Sequence, residues 1–245
     1  TGASDTWENG GNVNYPYRSI STSSHNGASG YTISHATIGE NRCLVVVLQA
    51  DTQFADPSGI TYNGVALTKA GSVVGAGAGS TSVAVYYLVN PTIGTNDIVI
   101  SGWNTGSGNF TAGNYARAHA INLVGIDQDS PVRNTETTSG TGTSITDDIT
   151  TVAGDVVIAA LTVDDGPTVT AGANQTEIYD VVESSYYSFN ISTETASSTT
   201  TTMSYNFGAS EPARMVSVAF VTGRSGDEAS VALDMITHKN KLIAL

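Results

Sequence analysis

The second half of the chain repeats the plan of the first half, about a hundred residues later. The apolar run 44–48 is echoed 112 residues later by the run 156–161, and the alternating run 116–124 returns 97 residues later as 213–221. The order of these segments is kept while the spacing drifts, as loops of different length would produce. Two matched sets of strands predict an all-β, jelly-roll-like double-sheet β-sandwich built from two similar halves.

The composition supports strands rather than helices. Hydrophobic residues make up 40% of the 245 residues and charged residues only 13%, while Ser, Thr, Gly and Asn are abundant. This mixture is typical of short strands joined by tight turns, with hydroxyl-rich outer faces. Because only a short turn-rich segment, 125–151, joins the halves, we expect them to form one domain.

Three regions follow from these patterns. Residues 1–30 are rich in Gly, Asn and Ser and are interpreted as an N-terminal arm or irregular edge strand, residues 31–222 as the β-sandwich, and residues 223–245 as a C-terminal tail. In the tail, a capping box at 225–228 precedes apolar residues at helical spacing, which predicts a short amphipathic helix. This apolar stripe either packs on its own sandwich or docks on a neighbouring subunit, so its assembly candidates are Val231, Met235, Ile236 and Leu242.

The charge excludes some partners. The formal net charge is −13 and no basic stripe interrupts it, so binding to nucleic acid is not expected. No segment approaches the roughly 20 apolar residues that a membrane-spanning helix needs. The lone Cys43 cannot form an intramolecular disulfide, and the first residues lack signal-peptide character. Two histories fit the first residues, a signal peptide already removed or an initiator Met trimmed before Thr1. The second history, with the free cysteine, favours a protein that is made in the cytoplasm and built into a particle there.

Few residues form a pattern that points to chemistry. None of the four histidines lies at ligand spacing from another histidine or from the cysteine, and no Gly-x-Ser-x-Gly elbow occurs. Acidic residues gather in turns, where they are either solvated or able to bind Ca²⁺ through their oxygen atoms. The Ca²⁺ candidates are Asp51 and Asp56 after one strand and Asp164 and Asp165 at the matching point of the second half. No other cofactor is expected.

Aromatic residues are the candidates for contact with sugars. A flat ring buries the apolar face of a sugar while its polar tip stays hydrated. The candidates are Trp103, Tyr86 and Tyr186, the last two belonging to tyrosine pairs that match one another in the repeat. Packing in the core and across strands is the alternative role for the same rings.

Several segments resemble a widespread module of bacterial surface proteins and phage structural proteins. The resemblance rests on the order and spacing of the segments 41–47, 60–69, 87–91, 125–132 and 153–157, and it covers roughly residues 30–222. It implies a jelly-roll-like β-sandwich used for display, adhesion or virion decoration, with no catalytic residues attributed to it.

The sequence therefore predicts a non-catalytic structural protein on the outside of an assembly, a phage capsid decoration protein at the virion surface that is anchored by its termini. Its expected partners are a capsid protein, another assembly protein or further copies of itself. The alternative is a carbohydrate-binding or adhesion module at the bacterial cell surface, dependent on Ca²⁺. A glycoside hydrolase would need two carboxyl groups facing one sugar, which spacing in the sequence cannot reveal.

Overall fold

The computed structural model describes residues 17–25, 30–75, 80–105, 115–183 and 186–223. Within these ranges all regular secondary structure is antiparallel β, which confirms the predicted all-β class. The same ranges contain no helix long and apolar enough to cross a membrane. The predicted tail helix and its apolar residues Val231, Met235, Ile236 and Leu242 lie outside the described residues, as do residues 1–16 of the predicted arm.

The strands follow one another with short connections. They are β1 Tyr17–His25, β2 Gly30–Thr37, β3 Cys43–Ala50, β4 Phe54–Ala55, β5 Gly59–Tyr62, β6 Val65–Ala66, β7 Thr68–Val74, β8 Ser82–Val89, β9 Gly94–Ser101, β10 Asn104–Thr105, β11 Ala116–Leu123, β12 Val132–Thr150, β13 Val156–Asp164, β14 Val169–Ala171, β15 Thr176–Glu183, β16 Tyr187–Thr195 and β17 Thr200–Phe220. Part of the predicted arm is thus the edge strand β1.

Two sheets have the same strand order, one in each half of the chain. The first sheet is β1-β11-β3-β8-β7, and the second sheet is β12-β17-β13-β16-β15. Position by position, β3 corresponds to β13 and β11 to β17. The registers also agree, because Ala116 lies opposite Ala50 just as Ala213 lies opposite Val163. The repeat in the sequence is therefore a repeat in the fold.

The irregularities of the two sheets recur at corresponding points as well. Every edge strand skips one residue at a point that is equivalent in the two sheets. These shifts fall between Tyr17 and Ser19 in β1, Val132 and Asn134 in β12, Lys69 and Gly71 in β7, and Glu177 and Tyr179 in β15. The ladder of β12 has one further shift without a counterpart in the first sheet, between Gly142 and Ser144. Bulges are reproducible features of related sheets, so their recurrence strengthens the equivalence.

Each half forms its own sandwich. In the first half, the first sheet packs against the small sheet β2-β9-β5-β6, with Leu44 and Val46 facing Ile98 and Ile100. In the second half, β12 and β17 are long enough to bend, so one sheet supplies both layers and encloses Leu161, among others. The matched strands therefore build two sandwiches rather than one shared pair of sheets, and their order does not confirm a jelly roll.

The two sandwiches stack through a third core. Val45 and Val47 of β3 meet Ile158 and Ala160 of β13 in this layer, together with Phe220. All five side chains are fully buried. The central strands β3 and β13 are consequently covered on both faces, which explains why they are unbroken apolar runs.

Hydrogen bonds across this contact are reciprocal. Gln49 of β3 donates through Nε2 to the carbonyl oxygens of Leu161 (2.6 Å) and Asn190 (3.2 Å), the latter in β16. In the opposite sense, Thr162 of β13 donates to the carbonyl oxygen of Ser82 (3.4 Å) in β8. Because β16 is the counterpart of β8, the halves are related by an approximate two-fold axis, like the subunits of an isologous dimer.

The stacked body has two ends, which we name the base and the tip. At the base end, Tyr17 pairs with Leu123, and the Gly223 amide donates to the Gly125 carbonyl at 2.7 Å. The tip end lies where β3 and β13 finish, beside Asp51 and Asp164. Since β11 runs the full distance in eight residues, base and tip are about 24 Å apart. Both ends of the described body thus lie at the base.

A substitution at Gly71 tests how the two halves stack. A Cβ atom there would lie 2.6 Å from Thr135 Cγ2 and 3.4 Å from Val216 Cγ1, across the contact between the sandwiches. We expect Gly71→Ala to lower the free energy of unfolding by about 1–2 kcal/mol, measured by chemical denaturation. Gly140→Ala is the matched control, because a Cβ atom at Gly140 meets nothing within 4 Å. Equal stability of the two variants would contradict this packing.

Candidate functional site

Two predicted aspartates meet at the tip. Asp51 directly follows β3, and Asp164 is the last residue of its counterpart β13. Because alternate residues of a strand share a face, Asp164 points to the same side as Ala160 and Thr162, towards the first sheet. Asp51 continues the face of Val47 and Gln49, towards the second sheet. The approximate two-fold relation therefore brings equivalent carboxylates together.

Asp51 is held tightly by its neighbour across the ladder. Its amide donates to the Tyr115 carbonyl at 2.9 Å, and the Tyr115 amide donates to Asp51 Oδ2 at 2.7 Å. The residue is only 6% exposed, and its other carboxylate oxygen, Oδ1, is buried without a hydrogen-bond partner among the described residues. Burial, with a contribution from the charge of Asp164, raises the pKa of Asp51 to about 6.

Further negative charges act around Asp51. Burial and the charge of Asp165 raise the pKa of Asp164, although the Asp165 amide partly offsets this. Partial desolvation and the nearby side chains of Asp165 and Asp164 raise the pKa of Glu211. The pKa of Tyr187 rises through burial and through the charges of three aspartates and Tyr115. Every neighbouring charge named here is negative.

Three tyrosine rings adjoin these carboxylates. Tyr187 lies directly opposite Asp164 in the ladder. Its ring centroid is 6.0 Å from that of Tyr115 and 6.5 Å from that of Tyr186, with interplanar angles of 44° and 41°. Tyr186 is 59% exposed, so its ring is the accessible part of the group. We name this group the tip cluster, which consists of Asp51, Tyr115, Asp164, Asp165, Tyr186, Tyr187 and Glu211.

A tight turn presents Asp165. Its φ angle is 54°, in the left-handed region that few residues other than glycine adopt, and Gly166 follows with a φ of 56°. Two successive residues with this conformation reverse the chain sharply after β13. The turn leaves the Asp165 side chain exposed beside Glu211.

The predicted Ca²⁺ residues are only partly brought together. Asp51, Asp164 and Asp165 meet at the tip, whereas Asp56 forms an ion pair with Lys69 at 2.7 Å and accepts a hydrogen bond from Tyr86 at 3.4 Å. Within the described ranges, no three His, Cys, Asp or Glu side chains are arranged to hold a metal ion. The Ca²⁺ site stays a prediction. Asp56 is paired with Lys69 instead of meeting the other three aspartates.

Two of the three predicted sugar-binding aromatics lie in the core of the first sandwich. Trp103 is fully buried, with its ring 5.9 Å from Phe54 and 6.4 Å from Tyr31. Tyr86 is 7% exposed and lies in the same core. Neither ring has a face open to a ligand, so packing is their role. Only Tyr186 is placed as the sugar hypothesis requires.

The proposed match between the tyrosine pairs is wrong in register. Tyr87 lies opposite Val45 in β3, and the corresponding position opposite Ile158 is Thr193. Tyr186 and Tyr187 instead lie at the tip, outside the part of β16 that corresponds to β8. Sequence reasoning also did not select Tyr115 or Glu211 for the site. Both reach it only through cross-strand pairing, which leaves no local signal in the sequence.

No family model, curated protein or solved structure matches this chain. The resemblance to surface and virion modules therefore stays a prediction.

The raised pKa of Asp51 has a measurable consequence. Its ordinary value is 3.8, so between about pH 4 and 6 the folded state binds more protons than the unfolded state, and stability falls as pH rises. Asp51→Asn removes this contribution while keeping the acceptor for the Tyr115 amide. We expect the loss of unfolding free energy across this range to shrink by about 2 kcal/mol in denaturation curves. Asp147, whose pKa is also raised to about 6 by burial, still makes the stability of the variant fall as the pH rises.

If the stability of Asp51→Asn depends on pH as that of the wild-type protein does, the pKa of Asp51 is not raised in the folded state. Asp129→Asn is the control, because Asp129 is exposed at the base end and its loss removes the same formal charge.

Proposed function

We propose that this chain is a non-catalytic structural protein displayed on the outside of an assembly, a capsid decoration protein at the surface of a phage particle. The observation that carries the proposal is that Tyr17 and Gly223, where the described body begins and ends, both lie at the base. A body whose flanking segments leave at one end is held there and presents the opposite end. The tip cluster lies at that presented end.

The cores of the body are apolar and uncharged near physiological pH, as a stable displayed body requires. Three apolar cores fill the spaces between successive β layers. His35 and His119 are buried in them, and desolvation lowers the pKa of His35 to about 4 and that of His119 to about 3. Both histidines therefore stay neutral near physiological pH and pack as part of the body. The net charge of −13 keeps such displayed copies from adhering to one another through their outer faces.

The anchor in this proposal is the C-terminal tail. We propose that the predicted amphipathic helix of this tail, which lies outside the described residues, packs on a capsid protein or on another copy of the chain through Val231, Met235, Ile236 and Leu242. This part of the proposal rests on the helical spacing of the apolar residues in the sequence. Exposed apolar stripes of this kind need a covering surface.

The anchor can be tested on the full chain. We expect the wild-type protein to self-associate in sedimentation velocity experiments and the triple variant Val231→Asp, Met235→Asp, Ile236→Asp to sediment as a monomer. The control is Ser230→Asp, Thr237→Asp, Asn240→Asp, which adds the same charge to the opposite face of the predicted helix and should still associate. A wild-type chain that is monomeric and binds no capsid protein, or equal dissociation of both variants, contradicts an anchor made by this stripe.

A second candidate function, a carbohydrate-binding or adhesion module of a bacterial cell surface, is favoured by the exposed ring of Tyr186. The ring lies at the presented end, and the neighbouring carboxylates are acceptors for sugar hydroxyl groups. Stacking of a sugar on an exposed ring with polar groups around it is a common arrangement for such sites. Bound glycans are released intact if the protein is non-catalytic.

A glycan array tests this second candidate. The full chain should bind a subset of glycans, and Tyr186→Ala should abolish that binding because it removes the stacking surface. Ile93→Ala is the control, since Ile93 is 60% exposed at the base end. A parallel array with a chelator tests the predicted dependence on Ca²⁺. Silence of the wild-type protein on every glycan would remove this candidate.

A further inference from the structure

The accessible ring of the tip cluster is braced from behind. Tyr186 leans on Tyr187, which leans on Tyr115. Tyr115 is in turn fixed by two hydrogen bonds to Asp51, at the end of a central strand that is buried on both faces. A ring supported in this way loses little conformational freedom when a ligand stacks on it. The exposed face of Tyr186 is thus a preformed surface for a flat, partly apolar ligand.

The charged groups that act within the tip cluster are of one sign. The electrostatic effects on Asp51, Asp164, Tyr187 and Glu211 all come from negative groups. Three cations of the described body are paired with carboxylates, whereas Arg42 and Arg214 donate to uncharged oxygen atoms. These ion pairs are Lys69 with Asp56, Arg117 with Glu183, and Arg133 with Asp155. A ligand with a positive charge would therefore supply the missing counter-charge at the tip.

An independent observation points to a missing donor at the same place. The Asp51 side chain is more than nine-tenths buried, yet its Oδ1 atom has no hydrogen-bond partner among the described residues. Asp51 continues the face of β3 on which Val47 and Gln49 contact the second half, so the carboxylate is directed towards Asp164 in the tip cluster. Buried acceptors without a donor are costly and rare. An N–H or O–H donor delivered to this side of the cluster would complete it.

We propose that the tip cluster binds saccharides that carry a protonated amine, with the sugar ring on Tyr186 and the ammonium group among Asp164, Asp165 and Asp51. This inference rests on the second candidate function and specifies its ligand. Acidic saccharides, such as those built from uronic acids, are excluded by repulsion from the same carboxylates. Neutral saccharides retain the stacking contact but lack the ion pair.

The test compares oligosaccharides that are all built from pyranose rings and differ in charge. Binding of the full chain to glucosamine oligomers, N-acetylglucosamine oligomers and galacturonic acid oligomers is measured by calorimetry on the acidic side of neutrality, where the free amines are protonated. We expect glucosamine oligomers to bind at least about fivefold more tightly than their neutral N-acetylated counterparts. Galacturonic acid oligomers should not bind. Added salt should reduce the preference, because it screens charges at an exposed site.

Variants separate the two contacts. Asp164→Asn with Asp165→Asn should remove the preference for the amine while leaving binding to the neutral oligomer, and Tyr186→Ala should weaken both. The control pair is Asp97→Asn with Asp129→Asn, which removes the same charge from exposed positions away from the tip. The control should bind like the wild-type protein.

The outcomes separate this inference from the second candidate function, on which it rests. If no oligosaccharide binds, the glycan-binding candidate falls and the inference falls with it. If charged and neutral oligomers bind equally, glycan binding stands and the charge preference is overturned. If lysine oligomers bind as tightly as glucosamine oligomers, the cluster recognises charge alone and the saccharide assignment is overturned.

Discussion

The layer between the two sandwiches is the contact on which the rest of this structure depends. It buries one whole face of β3 and one whole face of β13, including Val45, Val47, Ile158 and Ala160. The other faces of the same strands are buried inside their own sandwiches. Without this layer each half would expose an apolar sheet face much larger than a soluble protein tolerates. The halves are thus mutually dependent even though each has its own core.

The same layer places the tip cluster. An approximate two-fold arrangement brings equivalent positions of the two halves close to each other near the axis, and the residues that end β3 and β13 are such positions. Asp51 and Asp164 are therefore neighbours because the halves are related, not because of any local feature of either loop. These two equivalent strand-terminal aspartates contribute to the negative potential at the tip, and Asp165 and Glu211 add to it. The surrounding tyrosines, in contrast, are not duplicated, so the symmetry is broken where a ligand would be recognised.

The polar groups within the layer serve its geometry. Gln49 and Thr162 occupy equivalent positions on β3 and β13, and each donates to carbonyl groups of the opposite half. Buried donors that must find their acceptors allow one alignment of the sheets and disfavour others. Arg117 and Glu183 add an ion pair across the same contact, near the tip. These interactions explain how apolar sheets that could slide over one another are held in a single register.

Much of the fold follows from the sequence alone. The repeat, the strand-rich composition and the unbroken apolar runs determine an all-β protein with two equivalent halves and central strands covered on both faces. The alignment of Ala116 with Ala213 is also the structural one. The offset of 112 between the central runs, however, is one residue short of the structural register, in which Ala50 corresponds to Val163. An unbroken apolar run has no alternation, so nothing in it tells which residues face which core.

The candidate site, like the fold, could be predicted from the sequence only in part. Strand-end aspartates can be recognised in the sequence because they directly follow apolar runs, and three of the four indeed meet at the tip. Asp56 is only five positions from Asp51, yet it pairs with Lys69 in the first sandwich. The sequence by itself determined the all-β class and the repetition of the central strands, but not β12, which occupies most of the segment 125–151 that was expected to consist of turns. Only the tertiary structure decided how the halves stack, which aromatic rings are buried and which carboxylates converge, because these depend on contacts between residues far apart in the chain, whose geometry no local pattern encodes.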